Sequence, residues 1–81
     1  MMEVKRGAVV ISKAGHDKGD FQVIMDFDET YAYVCDGKYR PLERPKKKKL
    51  MHLKVTNTVL EENLIKTNKS IRGALKPFSK S

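Results

Sequence analysis

The stretch that most constrains this chain is Gly7 to Gly19, GAVVISKAGHDKG, where a β-branched run feeds a charged loop bracketed by Gly15 and Gly19. Valine and isoleucine suit strands because a branched Cβ packs well on a pleated surface. Glycine accepts the positive φ that a sharp loop requires and lets other backbone come close. The next residues carry apolar side chains at every second position, Phe21, Val23, Met25 and Phe27, against Gln22, Asp26 and Asp28. That spacing predicts strand, short loop, strand. Ile24 is the exception, an apolar residue on the polar face. In the first strand, Ala8 to Ala14, Val9 and Ile11 alternate with Ala8, Val10 and Ala14, which predicts apolar cover on both sides.

Asp28-Glu29-Thr30 reads as a turn and Tyr31 to Cys35 as a third strand. Asp36-Gly37 then carries the signal of a two-residue hairpin turn, which predicts a fourth strand over Lys38 to Leu42. Pro41 cannot donate to a ladder, so this strand is expected at an edge. Pro45 and four lysines interrupt the pattern before a fifth strand, Leu50 to Val55, in which Met51, Leu53 and Val55 alternate with His52 and Lys54. After it, Thr58 followed by Glu61 has the capping-box spacing and predicts a helix from about Val59, with Leu60, Leu64 and Ile65 as its apolar stripe. Asn68 and Ser70 interrupt that stripe. Ser70 to Leu75 adds a turn or two before Pro77 forbids continuation, and Phe78 to Ser81 are expected to fray. The tail is expected to pack where Val10, Ile24 and Leu50 need cover. The chain is therefore read as mainly β: a small five-stranded antiparallel barrel over residues 1–56, with a short helical tail over 57–81 that is not a separate domain.

Composition bounds function. The chain has 81 residues, enough for a single core, with a net charge of +7 and a pI near 9.7. Fixed positive charge of that size favours a polyanionic partner, although a basic domain with no such role has the same composition. A single cysteine, Cys35, cannot form an internal disulfide, and no metal-type Cys/His cluster is present. No segment approaches membrane-spanning length and no apolar leader opens the chain, so a soluble, cytoplasmic, monomeric protein without a membrane partner is expected. Enzyme activity is not expected. His16 and Asp17 are adjacent rather than arranged as a dyad, Cys35 lies in an apolar strand, and Asp26, Asp28 and Glu29 occupy a strand end and turn. No cofactor, metal or small-molecule substrate is implied.

The candidate binding residues fall in two groups. Lys46, Lys47, Lys48 and Lys49 with Arg44, Arg40 and Lys38 concentrate cations against Glu43 alone, and phosphate contacts by such side chains release condensed counterions. Lysines also keep an edge strand from aggregating. The first loop offers Lys13, Lys18 and His16 together with backbone N–H groups near Gly15 and Gly19, which can grip phosphate or sugar oxygens. Asp17 is expected to order that loop rather than touch a ligand. Among Tyr31, Tyr33 and Tyr39, the last is the best candidate for stacking on an unpaired base, since Lys38 and Arg40 flank it. His52, beside the basic segment, is a further candidate phosphate donor.

These residues carry a resemblance. Gly7-x-Val9-Val10, Lys13-x-Gly15-x-Asp17-Lys18-Gly19 and Val23 resemble the KOW motif. With Asp36-Gly37-Lys38, Arg44-Pro45-Lys46-Lys47-Lys48-Lys49, His52-Leu53 and Thr56-Asn57-Thr58, the chain from Val4 to about Thr58 resembles the small bacterial KOW-domain RNA-binding proteins. These are related to the KOW-bearing large-subunit ribosomal proteins of eukaryotes and archaea. The resemblance implies an SH3-like barrel and an RNA-binding role in the translation apparatus. Structured ribosomal RNA is the implied partner, and ribosomal proteins are possible neighbours. It also implies a first loop that contacts RNA or protein, and a C-terminal helical tail that is shorter here. The alternative is a protein-interaction module docking on a ribosomal, translation or transcription factor through the barrel surface, since small barrels of this kind also bind proteins through an exposed edge.

Overall fold

The computed structural model describes residues 3–78. Its strands are β1 (Ala8–Ser12), β2 (Phe21–Phe27), β3 (Tyr31–Cys35), β4 (Lys46–Lys49) and β5 (Leu53–Val59), followed by one helix, α1 (Asn68–Leu75). All pairings are antiparallel, and the five strands form one sheet in the order β4-β3-β2-β1-β5. The fold is thus mainly β with one short C-terminal helix.

Strand alternation builds an apolar core on each face of this sheet. Ala8, Val10, Ile24, Ala32, Val34 and Leu53 pack on one side. Val9, Val23 and Cys35 pack on the other, beneath Ile65, Ile71 and Leu75 of the tail. Ile24, the apolar exception of β2, is fully buried and pairs with Val34. The face that looked polar is an interior one. The register between β2 and β3 shifts between Ile24 and Asp26, a bulge that re-aims the strand end and leaves Phe27 exposed despite its place in the alternation. The tail packs on the sheet, but it covers Val9, Val23 and Cys35 rather than Val10, Ile24 and Leu50.

Further sequence expectations are corrected. The fourth strand is the lysine run itself, not Lys38 to Leu42. Residues 36–45 form a loop closed by Asp36, whose Oδ1 accepts from the backbone N–H groups of Lys38 and Arg40, both at 2.8 Å. A type I′ turn on Asp36-Gly37 needs positive φ at both residues, and only Gly37 has it (φ +80°). α1 also comes close at Gly37: a Cβ there would overlap the Asn68 carbonyl oxygen. Arg72 donates to the Gly37 carbonyl at 2.9 Å and Asn68 Oδ1 accepts from Leu42 N at 2.7 Å, so the helix ties this loop down at both ends.

The fifth strand begins later than expected. Leu50–His52 is a 3₁₀ turn that leaves Met51 exposed, and β5 runs on to Val59, held by Ala8 opposite Val59 and by the Leu60 N–H donating to Gly7 O at 2.8 Å. A helix from Val59 is therefore excluded. Glu62–Leu64 makes only a 3₁₀ turn, and the capping box belongs to Thr67 and Ser70 instead, with Ser70 N donating to Thr67 Oγ1 at 3.0 Å. Phe78 lies against Phe21, ring centroids 5.5 Å apart, while the expected fraying of Ser79 to Ser81 lies outside the described residues. No described helix is long and apolar enough to cross a membrane.

Candidate nucleic-acid interface

The site follows from how an edge strand presents four consecutive lysines. Successive side chains point to opposite faces, and β4 pairs Tyr31 with Lys49, Ala32 with Lys48 and Tyr33 with Lys47. Lys47 and Lys49 therefore stand on the tyrosine side and are exposed, while Lys48 points to the inner face with the core residue Ala32. Lys47 Nζ sits 4.2 Å from the centre of the Tyr31 ring, a cation–π contact.

Lys48 is only 7% exposed, and its ammonium crosses the curled sheet to β1 and the first loop. It donates to Ser12 Oγ, to Ala14 O at 2.8 Å and to Asp17 Oδ1 at 2.8 Å. Gln22 Nε2 donates to the other carboxylate oxygen of Asp17 at 2.9 Å, and the Ser12 hydroxyl donates to Oδ1. Burial on its own would push the Asp17 carboxyl up. The hydrogen bonds from Lys48, Gln22 and Ser12 outweigh it and hold the group well below the usual carboxylate range. The first loop is thus locked from inside. Lys48, expected to bind phosphate, is committed to the fold, whereas Asp17 orders the loop as expected. Lys46 is half-buried with its ammonium 4.0 Å from Asp17.

One groove gathers Gly15, Tyr31, His52 and the lysines of β4. The first loop meets the far end of that groove because Lys13 N donates to His52 O at 2.8 Å. A second cleft gathers His16, Tyr39 and Arg40 with Asp17, Asp20, Gln22 and Asp36, and Lys38 adjoins it beside Arg72. Lys13, Lys18, Gly19 and Arg44 are exposed but line neither recess. The remaining sequence candidates are therefore split between the groove and the cleft, to which the first loop contributes Gly15 and His16 respectively. Sequence reasoning missed that Tyr31 walls the groove and that Asn68 and Arg72 fix the loop carrying Lys38 to Arg40. A run of identical residues offers no alternation from which Lys48 could be told from its neighbours.

The chemistry of the groove is that of an anion site with an aromatic wall: exposed ammonium groups, an imidazole and a tyrosine ring. Among the described residues, no three His, Cys, Asp or Glu side chains are grouped to hold a metal ion. Cys35 is buried, and desolvation, aided by the nearby Asp36 and Glu43 carboxylates, pushes its thiol up to about 11. A thiol held so far above neutrality is a poor nucleophile. Compared with known proteins, the chain matches no family model and no curated protein.

Proposed function

We propose that this protein is an RNA-binding module of the translation apparatus that holds structured ribosomal RNA in the groove along β4. The observation that carries the reading is the placement of Lys47 and Lys49, exposed side by side on an edge strand with Tyr31 and His52, in a chain of net charge +7. Phosphates lying along the strand meet these ammonium groups, and the inner lock on Asp17 keeps the first loop rigid against the same RNA. Selectivity comes mainly from the shape of the RNA backbone, since the groove carries few groups able to read bases. We further read the curled sheet as an SH3-like barrel of the KOW type. The strand order and the reach of Lys48 across to Ser12 support that reading.

The test is a salt titration of binding to a ribosomal RNA fragment, comparing the native chain with a Lys46→Gln, Lys47→Gln, Lys49→Gln variant that retains Lys48. Every phosphate left without its ammonium partner reduces the slope of log K against log salt by about 0.7–0.9, so weaker binding with a shallower slope is expected. Unchanged binding by the variant would refute the groove as the RNA site. It would point instead to a protein partner on the exposed sheet surface.

A further inference from the structure

We propose that the outer edge of β4 takes an acidic, extended segment of a partner protein as an added strand. The inference goes beyond the RNA reading and rests on which way the β4 backbone points. β4 ends the sheet, with β3 as its one strand neighbour among the described residues. Leu50 N donates to Thr30 O at 2.8 Å, which makes Leu50 and Thr30 a hydrogen-bonded pair continuing the β3–β4 ladder. Such pairs alternate with non-bonded ones in an antiparallel ladder, so Lys48 with Ala32 and Lys46 with Val34 are the bonded pairs of β4. Lys47 and Lys49 fall between them, and their backbone groups point away from β3. The Lys49 carbonyl opens the 3₁₀ turn Leu50–His52. Lys47 N–H, Lys47 C=O and Lys49 N–H remain for a new neighbour.

The same two residues carry exposed ammonium groups. These stand on one face of the strand, roughly 7 Å apart along it, and the Tyr31 ring holds that of Lys47 over this face. On an added antiparallel strand, the residues opposite Lys47 and Lys49 share their face. Two carboxylates spaced two residues apart therefore meet both ammonium groups while their own backbone closes the free hydrogen bonds. The alternate residues turn to the Lys48 side, where Ala14 and Gly15 wall the groove and leave room for small side chains. Acids beside the edge do not cancel its charge. Asp17 is paired with Lys48, and Asp28, close enough to be affected by Lys47, takes the Thr30 and Tyr31 N–H groups on one oxygen, with Glu29 in the same turn. A second copy of this strand is excluded as the occupant, because its lysines would face these lysines, the usual guard of an edge against self-pairing. An acidic strand turns that guard into an attraction.

The probe is a short peptide in which glutamate alternates with threonine, compared at one salt concentration with the same peptide N-methylated at its glutamates. Methylation keeps the charge but removes the N–H that would donate to Lys47 O and wedges a methyl group against the edge. The methylated peptide is expected to bind about tenfold more weakly. Amide hydrogen exchange at Lys47 and Lys49 is expected to slow when the unmethylated peptide binds, and Lys47→Gln, Lys49→Gln to weaken it several-fold. Equal binding of the two peptides, or unchanged exchange at Lys47 and Lys49, overturns the proposal and leaves the lysines as a charged guard alone. The peptide is also expected to displace a ribosomal RNA fragment. If it binds as a strand without displacing the RNA, the edge assignment stands and the groove fails as the RNA site. If the RNA binds and the peptide does not, the edge assignment alone fails.

Discussion

Replacing Lys48 with methionine keeps an apolar stem of similar length and removes one charge from the inner face of β4. The ammonium meets Ser12, Ala14 and Asp17, and both members of the ion pair are close to fully buried, with side-chain exposures of 6% and 10%. Removing one partner of such a pair costs about 3–5 kcal/mol, because the remaining charge stays buried and uncompensated. Ser12 and Gln22 still donate to Asp17, so the lower end, about 3 kcal/mol, is expected here. A domain of this length has a total stability of roughly 4–12 kcal/mol, so the change is a large share of it. At about 4–8 °C per kcal/mol for a domain of this size, Tm falls by about 12–24 °C. Urea and thermal unfolding followed by circular dichroism measure this, with Lys47→Met as the exposed control, expected to stay within about 0.5 kcal/mol of native. Adding Asp17→Asn to Lys48→Met removes the stranded charge and is expected to recover part of the stability. If Lys48→Met is no more destabilising than Lys47→Met, Lys48 does not lock the first loop.

Acid unfolding tests the same lock. The folded-state carboxyl of Asp17 lies below its unfolded value, so its contribution is complete above that value and is lost as pH falls toward the folded one. The native chain is expected to lose stability from about pH 5 downward, and Asp17→Asn, less stable at neutral pH, to show a shallower decline; parallel curves would contradict this. Gly37→Ala is expected to destabilise clearly more than Gly19→Ala. Both have positive φ, at a cost of about 1–2 kcal/mol for alanine, but only at Gly37 does the new Cβ meet backbone, and nothing lies within 4 Å at Gly19; denaturant midpoints of the two variants decide it. Cys35, with its thiol pushed up to about 11, is expected to resist a thiol reagent at pH 8 in the folded protein and react fully in urea. Fast labelling of the folded chain would contradict its burial.

Much of the fold was legible in the sequence, for reasons that also explain what was not. β1, β2 and β3 announced themselves through the β-branched run of Val9 to Ile11, the period of two in Phe21, Val23, Met25 and Phe27, and the aromatic and β-branched content of Tyr31 to Cys35, each between turn residues, and those signals are local. β4 was hidden because lysine is a poor strand former, and the run is held by pairing with β3 and by acceptors on distant Ser12, Ala14 and Asp17. Asp36-Gly37 misled because the glycine serves the close approach of α1, a contact between residues far apart in sequence. Thr58 misled in the same way: its capping signal is real locally, but pairing with β1 keeps the chain extended to Val59. In the candidate site, the basic segment, the first loop and Tyr39 could all be picked from residue type. Their division into a groove and a cleft depends on which way each strand residue faces, and only the register supplies that.

The central claim is that position, not net charge alone, makes the groove the RNA site. The most direct measurement is a charge-matched comparison of Lys47→Gln, Lys49→Gln with Lys66→Gln, Lys69→Gln, all four lysines being exposed and each pair removing the same charge. Affinity for a ribosomal RNA fragment is measured across a range of salt concentrations. The β4 pair is expected to lower the salt slope by about 1.4–1.8 and weaken binding, while the tail pair leaves the slope nearly unchanged. Equal effects from both pairs would mean that the protein attracts RNA only as a diffuse cation, and would contradict the assignment of the groove.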